Sequence, residues 1–269
     1  MAIIALHSAA SGLSALSTEI DVIANNLANV NTTGFKAQRS NFEDLIYQIK
    51  AQPGVENANG DQRPAGIQVG LGTRVSNTQY DFSKGSPIHT QQELDMFIDG
   101  SGFFQVDIME EIGDGIGYTR AGNFFLNRDY EIVLGNSDGP RIEPPITVPA
   151  DAISISITSD GMINVYQAGN VDPTQVGQIQ LANFVNSGGL KSIGGNIFVP
   201  TAASGPAIVG NPGEGTFGKI LQEYLESSNA DPVVELVNLI KTQRAFEMNS
   251  QSIQAADDAL QVISNLRRF

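Results

Sequence analysis

The chain has 269 residues, 41% of them hydrophobic, which is ordinary for a soluble globular protein and enough for one large or two modest domains. Its net charge of -14 is uneven: residues 1–50 carry 3 basic and 4 acidic side chains, 227–269 carry 4 and 5, and 51–226 carry 8 and 20, so the ends are near neutral. There is no basic patch for nucleic acid, no apolar run long enough to span a membrane, and no cysteine for disulfides or thiolate chemistry.

At the N-terminus Leu6, Leu13, Ile20 and Leu27 recur every seven residues, and Ala9, Leu16, Ile23 and Val30 do the same three positions on. This spacing predicts an amphipathic helix with an apolar seam. The first basic residue is Lys36, so the apolar N-terminus lacks the positive region of a secretory signal and no cleaved leader is expected. The helical pattern stops in Asn31-Thr32-Thr33-Gly34, residues that favour turns and left-handed backbone.

Residues 41–50 read as a short helix or strand, and 52–66 as a polar loop rich in Gly and Pro. Short runs with frequent turns then predict strands at Phe103–Val106, Asn123–Leu126, Glu131–Leu134, Ile153–Ile157, Ile163–Tyr166 and Ile179–Ala182, with turns at Asp138-Gly139 and Asp160-Gly161. At the C-terminus Leu239, Phe246, Ile253 and Leu260 form a second heptad row whose companions Thr242 and Asn249 are polar. Asp231-Pro232 supplies its start signal, and Glu235 suits the positive end of the helix dipole. At 1.5 Å per residue this helix would run roughly 50 Å.

The expected fold class is mixed α and β: paired, coiled-coil-like N- and C-terminal helices with an inserted antiparallel β-domain. The arm takes 1–34 with 228–269, an extended connector takes 35–79 and 211–227, and the β-rich domain takes 80–210. The alternative is that both helices pack as ordinary amphipathic helices on a globular core. Two heptad rows at opposite ends of a chemically different middle favour an arm that packs against other copies of itself.

Two motifs invite catalytic or cofactor readings. Gly135-Asn136-Ser137-Asp138-Gly139 matches a hydrolase nucleophile pattern, but Pro140 follows at once, no helical pattern opens, and the two histidines, His7 and His89, both precede it. A turn is the better reading. Gly213-Glu214-Gly215-Thr216-Phe217-Gly218 matches a dinucleotide-binding spacing, yet it lies near the chain's end outside any strand–helix–strand unit and reads as a flexible connector. No catalytic, cofactor-binding or metal-binding residue is assigned, and no cofactor is expected. A secreted acidic β-rich hydrolase, the rival from another class, lacks a nucleophile–base set.

The segment from Ile23 to Lys36, with Asn25, Asn26, Leu27, Asn29, Thr33, Gly34 and Phe35, resembles the N-terminal signature of the bacterial flagellar rod and hook family. The C-terminal stretches Tyr224–Asn229, Glu235–Val237 and Thr242–Ser250 resemble the same family's C-terminal block, and Ile98–Val106 and Tyr118–Phe124 extend the likeness through the middle. Phe42–Gln48, Gln52–Gly54 and Gly66–Gly70 resemble the distal-rod branch of the family in particular, ahead of its hook and proximal-rod branches. Asp129-Tyr130 stands where the family often has a glycine turn, and Met109 to Gly117 makes a longer, more acidic hairpin tip.

The resemblance implies a structural subunit that leaves the cell through the flagellar type III export apparatus without a cleaved signal and polymerises with itself into a rigid tube carrying torque from motor to hook. Its implied partners are proximal-rod and hook proteins and, in Gram-negative cells, the peptidoglycan-level and outer-membrane rings; its implied place is the periplasmic part of the basal body. The β-domain would lie outside a tube of paired helices.

Overall fold

Ala2–Ala28 forms a single helix, α1, in the computed structural model, which describes residues 2–54, 64–109, 113–169 and 172–266. The chain divides into two compact units, one of Met1–Ala28, Gln38–Gln79 and Pro232–Phe269, the other of Asn29–Ala37 and Tyr80–Asp231.

In the first unit α1 lies against α2 (Pro232–Leu266), which opens on the proline whose fixed φ suits a first helical turn, with Glu235 in that turn. Between them run β1 (Gln38–Asp44), β2 (Tyr47–Ala51), β3 (Ile67–Gly70) and β4 (Thr73–Tyr80). β1 pairs with β4, and β2 pairs antiparallel with β3 from Tyr47↔Gly70 to Ala51↔Ile67. Residues 41–50, open between helix and strand in the sequence, are thus mainly strand, because residues 67–80 supply extended partners for both runs. Ile46, Tyr47, Ile49 and Ile67 remain exposed along the β2–β3 ribbon. Residues 55–63 lie outside the described residues.

Among its described residues the second unit is built of strands, with two short 3-10 turns. Its strands are β5 (Pro87–His89), β6 (Met96–Asp99), β7 (Phe103–Asp107), β8 (Ile116–Thr119), β9 (Phe124–Leu126), β10 (Ile132–Leu134), β11 (Ala152–Ile157), β12 (Met162–Gln167), β13 (Thr174–Gln178), β14 (Leu181–Asn183), β15 (Lys191–Gly194), β16 (Ile197–Val199), β17 (Ile208–Gly210), β18 (Lys219–Gln222) and β19 (Tyr224–Glu226). A six-stranded sheet has the order β15-β16-β8-β7-β14-β17, every pairing antiparallel. A three-stranded sheet, β11-β12-β13, and the pairs β9–β10, β6–β18 and β5–β19 complete it. One core gathers Met96, Phe104, Phe124, Ile132, Ile163 and Leu181; a second, aromatic one gathers Phe103, Tyr118, Phe184 and Phe198.

All the expected strands are present except the first half of the last. Ile179 is fully buried but precedes β14, its amide bonding the Gly161 carbonyl at 2.8 Å across the turn after β11. Residues 135–139 form a turn in which the Asn136 carboxamide oxygen accepts from the amides of Asp138 and Gly139, with no helix beyond. Residues 213–218 are a tight turn, the Gly213 amide bonding the Gly218 carbonyl at 3.0 Å before β18 begins. Neither loop opens a helix, and Ser137 sits exposed in a turn rather than on a strand-to-helix elbow. Tyr130, where a glycine turn is usual, adopts the left-handed φ of 61°. Within the acidic tip, 110–112 lie outside the described residues, and Gly113–Gly115 form a 3-10 turn before β8.

Candidate functional site

The family-like segment is split between the two units, and each half has its own work. In the first unit Asn25 is exposed, Leu27 half-buried and Asn26 buried. The Asn26 carboxamide grips one residue of β1: its oxygen accepts from the Gln38 amide at 2.9 Å and its nitrogen donates to the Gln38 carbonyl at 2.7 Å. The side chain thereby takes the place of a neighbouring strand. The same nitrogen lies 3.0 Å from Glu235 Oε1 on α2. Asparagine suits this position because it offers donor and acceptor side by side.

In the second unit the segment 29–37 is threaded through the β-structure. Gly34 takes a φ of 68°, donates to the Glu226 carbonyl at 2.8 Å, and passes so near Ala121 that a Cβ would stand 2.5 Å from its amide nitrogen. Only glycine meets both conditions. The Thr33 carbonyl accepts from Asn196 at 2.9 Å, Phe35 is buried, and the Ala37 amide donates to Asn229 Oδ1 at 2.7 Å.

At the end of this segment Lys36 is fully buried. Its ammonium donates to Glu226 Oε1 and to the Ser83 carbonyl, each at 2.7 Å. The same Glu226 oxygen accepts from the Gly85 amide at 2.8 Å, while Oε2 lies 3.6 Å from Arg120 Nη1 without a hydrogen bond. Arg120 bonds the Gly100 carbonyl at 2.7 Å and covers the Phe103 ring at 5.4 Å. Burial holds both the Lys36 ammonium and the Arg120 guanidinium below their ordinary pKa, against the pull of Glu226. Two cations thus share one buried carboxylate, and three distant stretches of chain meet there. The arrangement binds segments together; it presents no reacting group to solvent.

The heptad seams lie in the first unit. On α1, Ile23 is buried and Leu6, Leu13, Leu16, Ile20 and Leu27 are half-buried; on α2, Leu239, Phe246, Ile253 and Leu260 are half-buried. The most enclosed positions of α1 are Gly12, Ala15, Val22, Ile23 and Asn26, a face turned mostly one residue back from the aliphatic seam. At Gly12 the absence of a side chain lets Asn249 of α2 come within 3.0 Å of where a Cβ would stand, so the larger residues lie to the side of this approach. The face of α2 carrying Val233, Val237, Ile240 and Met248 is exposed.

A polar cleft of about 360 Å³ beside the threaded segment is lined by Asn29, Thr32, Thr33, Asn123, Asn136 and Asn196, and holds no ionisable group. Among the described residues no cluster of His, Asp or Glu could hold a metal ion, and no helix is long and apolar enough to cross a membrane.

Three family models match the chain: "Flagella basal body rod protein" over residues 6–36, "Flagellar hook protein FlgE/F/G D1 domain" over 97–165 and "Flagellar basal body rod FlgEFG protein C-terminal" over 221–266. Among curated proteins, "Flagellar basal-body rod protein FlgG" of Caulobacter vibrioides is 46% identical over 264 residues, covering 98% of this chain and 99% of that one. The protein of the same name from Agrobacterium fabrum is 43% identical, covering 97% and 98%. "Flagellar hook protein FlgE" of Salmonella typhimurium is 41% identical over 136 residues, covering 51% of this chain and 32% of that one. With whole-length relatives at this identity and family models at both ends and in the middle, the chain belongs to the flagellar basal-body rod proteins, structural subunits of the motility apparatus and not enzymes.

Proposed function

We propose that the protein is the subunit of the distal rod and polymerises through its helices into a rigid tube that carries torque from motor to hook. The observation that carries this reading is the apolar surface that the helix pair leaves uncovered in a single chain: the half-buried row Leu6, Leu13, Ile20 and Leu27 on α1 and the exposed Val233, Val237, Ile240 and Met248 on α2. Aliphatic faces of this extent are stabilised by burial against another surface. A second copy supplies one, and identical contacts that do not close into a ring generate a helical filament. Whole-length similarity to rod proteins, against half-length similarity to a hook protein, favours the rod over the hook.

In this reading 1–34 and 228–269 act as a coiled-coil-like arm, with proximal-rod and hook proteins as axial neighbours. The acidic β-rich unit faces the peptidoglycan-level and outer-membrane rings where these exist, in the periplasmic part of the rod. Export runs through the flagellar type III apparatus. The ribbon of β2 and β3, with the residues between them, stiffens the tube by bridging neighbours, so a deletion within 48–63 should alter straightness more than polymerisation.

Electron microscopy of the concentrated full chain tests the proposal. Straight tubes support it; a chain that stays monomeric or forms only amorphous material contradicts it.

A further inference from the structure

The contacts between α1 and α2 include polar rungs at regular intervals. Asn26 meets Glu235 at 3.0 Å, the buried Thr242 hydroxyl stands beside the Glu19 carboxyl and works against the upward pull of burial on its pKa, and Asn249 Nδ2 stands 3.0 Å from where a Cβ on Gly12 would be. From rung to rung the chain moves seven residues down α1 and seven up α2, so the three lie on one antiparallel register. Asn26 and Thr242 are buried, as is Gly12, and Glu19 and Glu235 are half-buried.

This choice of face has an obvious alternative. One residue on from Gly12, Glu19 and Asn26 stands the aliphatic row Leu13, Ile20 and Leu27, which would bury more apolar surface against α2. Polar groups at an interhelical position sacrifice stability, and their use is to penalise alignments in which they lose their partners. A slip of α2 by one turn shows the penalty. Moved four residues, Leu239 would face Asn26, Phe246 would face Glu19 and Ile253 would face Gly12, leaving a carboxylate against an aromatic ring with no donor. Moved three residues the other way, Leu239 would face Glu19 and Phe246 would meet the close approach at Gly12.

We infer that Gly12, Glu19 and Asn26 on α1, with Asn249, Thr242 and Glu235 on α2, are the specificity-determining residues of the helix pair. They fix one antiparallel register and hold the aliphatic row of α1 away from α2 at a set height. The inference concerns the single chain and stands whether or not that row meets a second copy.

The absence of cysteine makes a direct test available. Spin labels are placed at the exposed positions Ser14 and Gln251 of the full chain, which is diluted with unlabelled chain so that only intramolecular distances register. The parent should give a single distance maximum. Glu19→Leu combined with Thr242→Val should raise the thermal midpoint of the helices and add a second, separate maximum, the sign of an axial slip of about 5 Å, one helical turn. A single unchanged maximum in that variant, or several maxima in the parent, overturns the inference. Should the double variant aggregate, Thr242→Val alone decides: it should lower the helix midpoint or broaden the distribution, with recovery in Thr242→Ser. A Thr242→Val chain matching the parent in both readouts removes the middle rung and the inference with it.

Discussion

Lys36 and Glu226, 190 positions apart, meet as a buried ion pair at 2.7 Å in which the carboxylate also receives the Gly85 amide. The pair fastens the segment leaving the helix pair to the strand that leads back to it. Its members are unequal, because Arg120 stands 3.6 Å from the same carboxylate. Glu226→Gln would leave two buried cations without a counter-charge and should cost about 3–5 kcal/mol. Lys36→Met leaves Glu226 facing Arg120 and should cost less. Urea unfolding of the β-rich unit, followed by circular dichroism, measures both, and equal or reversed losses would contradict this ordering.

Gly34 should tolerate no side chain. The left-handed backbone alone penalises alanine by about 1–2 kcal/mol, and the Cβ would meet the Ala121 amide nitrogen at 2.5 Å. Gly34→Ala should therefore destabilise the β-rich unit by more than the backbone penalty, and amide exchange should show residues 33–37 losing protection first. A variant as stable as the parent would mean that the threaded segment is not held as described.

Glu19 makes the helix pair sensitive to acid in an unusual direction. Burial raises its carboxyl pKa above 4.5, the Thr242 hydroxyl bond opposing that shift. The folded carboxyl then binds its proton more tightly than the unfolded one, so its contribution becomes more favourable as pH falls through the raised value and levels off below 4.5. The difference in helix melting temperature between the parent and Glu19→Gln should shift in the parent's favour on going from neutral pH to about pH 5. A pH-independent difference would remove Glu19 as the source.

The two helices, the start at Pro232 and most strands were legible because each is written in local periodicity or turn chemistry. The face that α1 turns to α2 was not. Two adjacent stripes of that helix could each serve, and the pattern of large aliphatic residues points to Leu13 and Ile20, whereas close approach selects Gly12, Ala15 and Asn26. The polar companions Thr242 and Asn249 were a visible signal, but their partners Glu19 and Gly12 emerge only once the helices are paired. Lys36 and Glu226 were hidden for a different reason: nothing local marks a lysine as buried when its counter-charge lies 190 residues away. The Asn26 grip on Gln38 likewise needs the chain to double back beside the helix.

Polymerisation through the aliphatic seams is tested most directly by sedimentation of Leu13→Asp and Ile253→Asp chains beside the parent. Both residues are half-buried in the single chain, and if a neighbouring copy closes the seam as proposed, each substitution would bury a charge there at a cost of several kcal/mol. Both variants should keep the circular dichroism and unfolding transition of the β-rich unit, remain in the supernatant under conditions where the parent pellets as tubes, and fail to support motility. Tubes formed by either variant as readily as by the parent would contradict polymerisation through the seams.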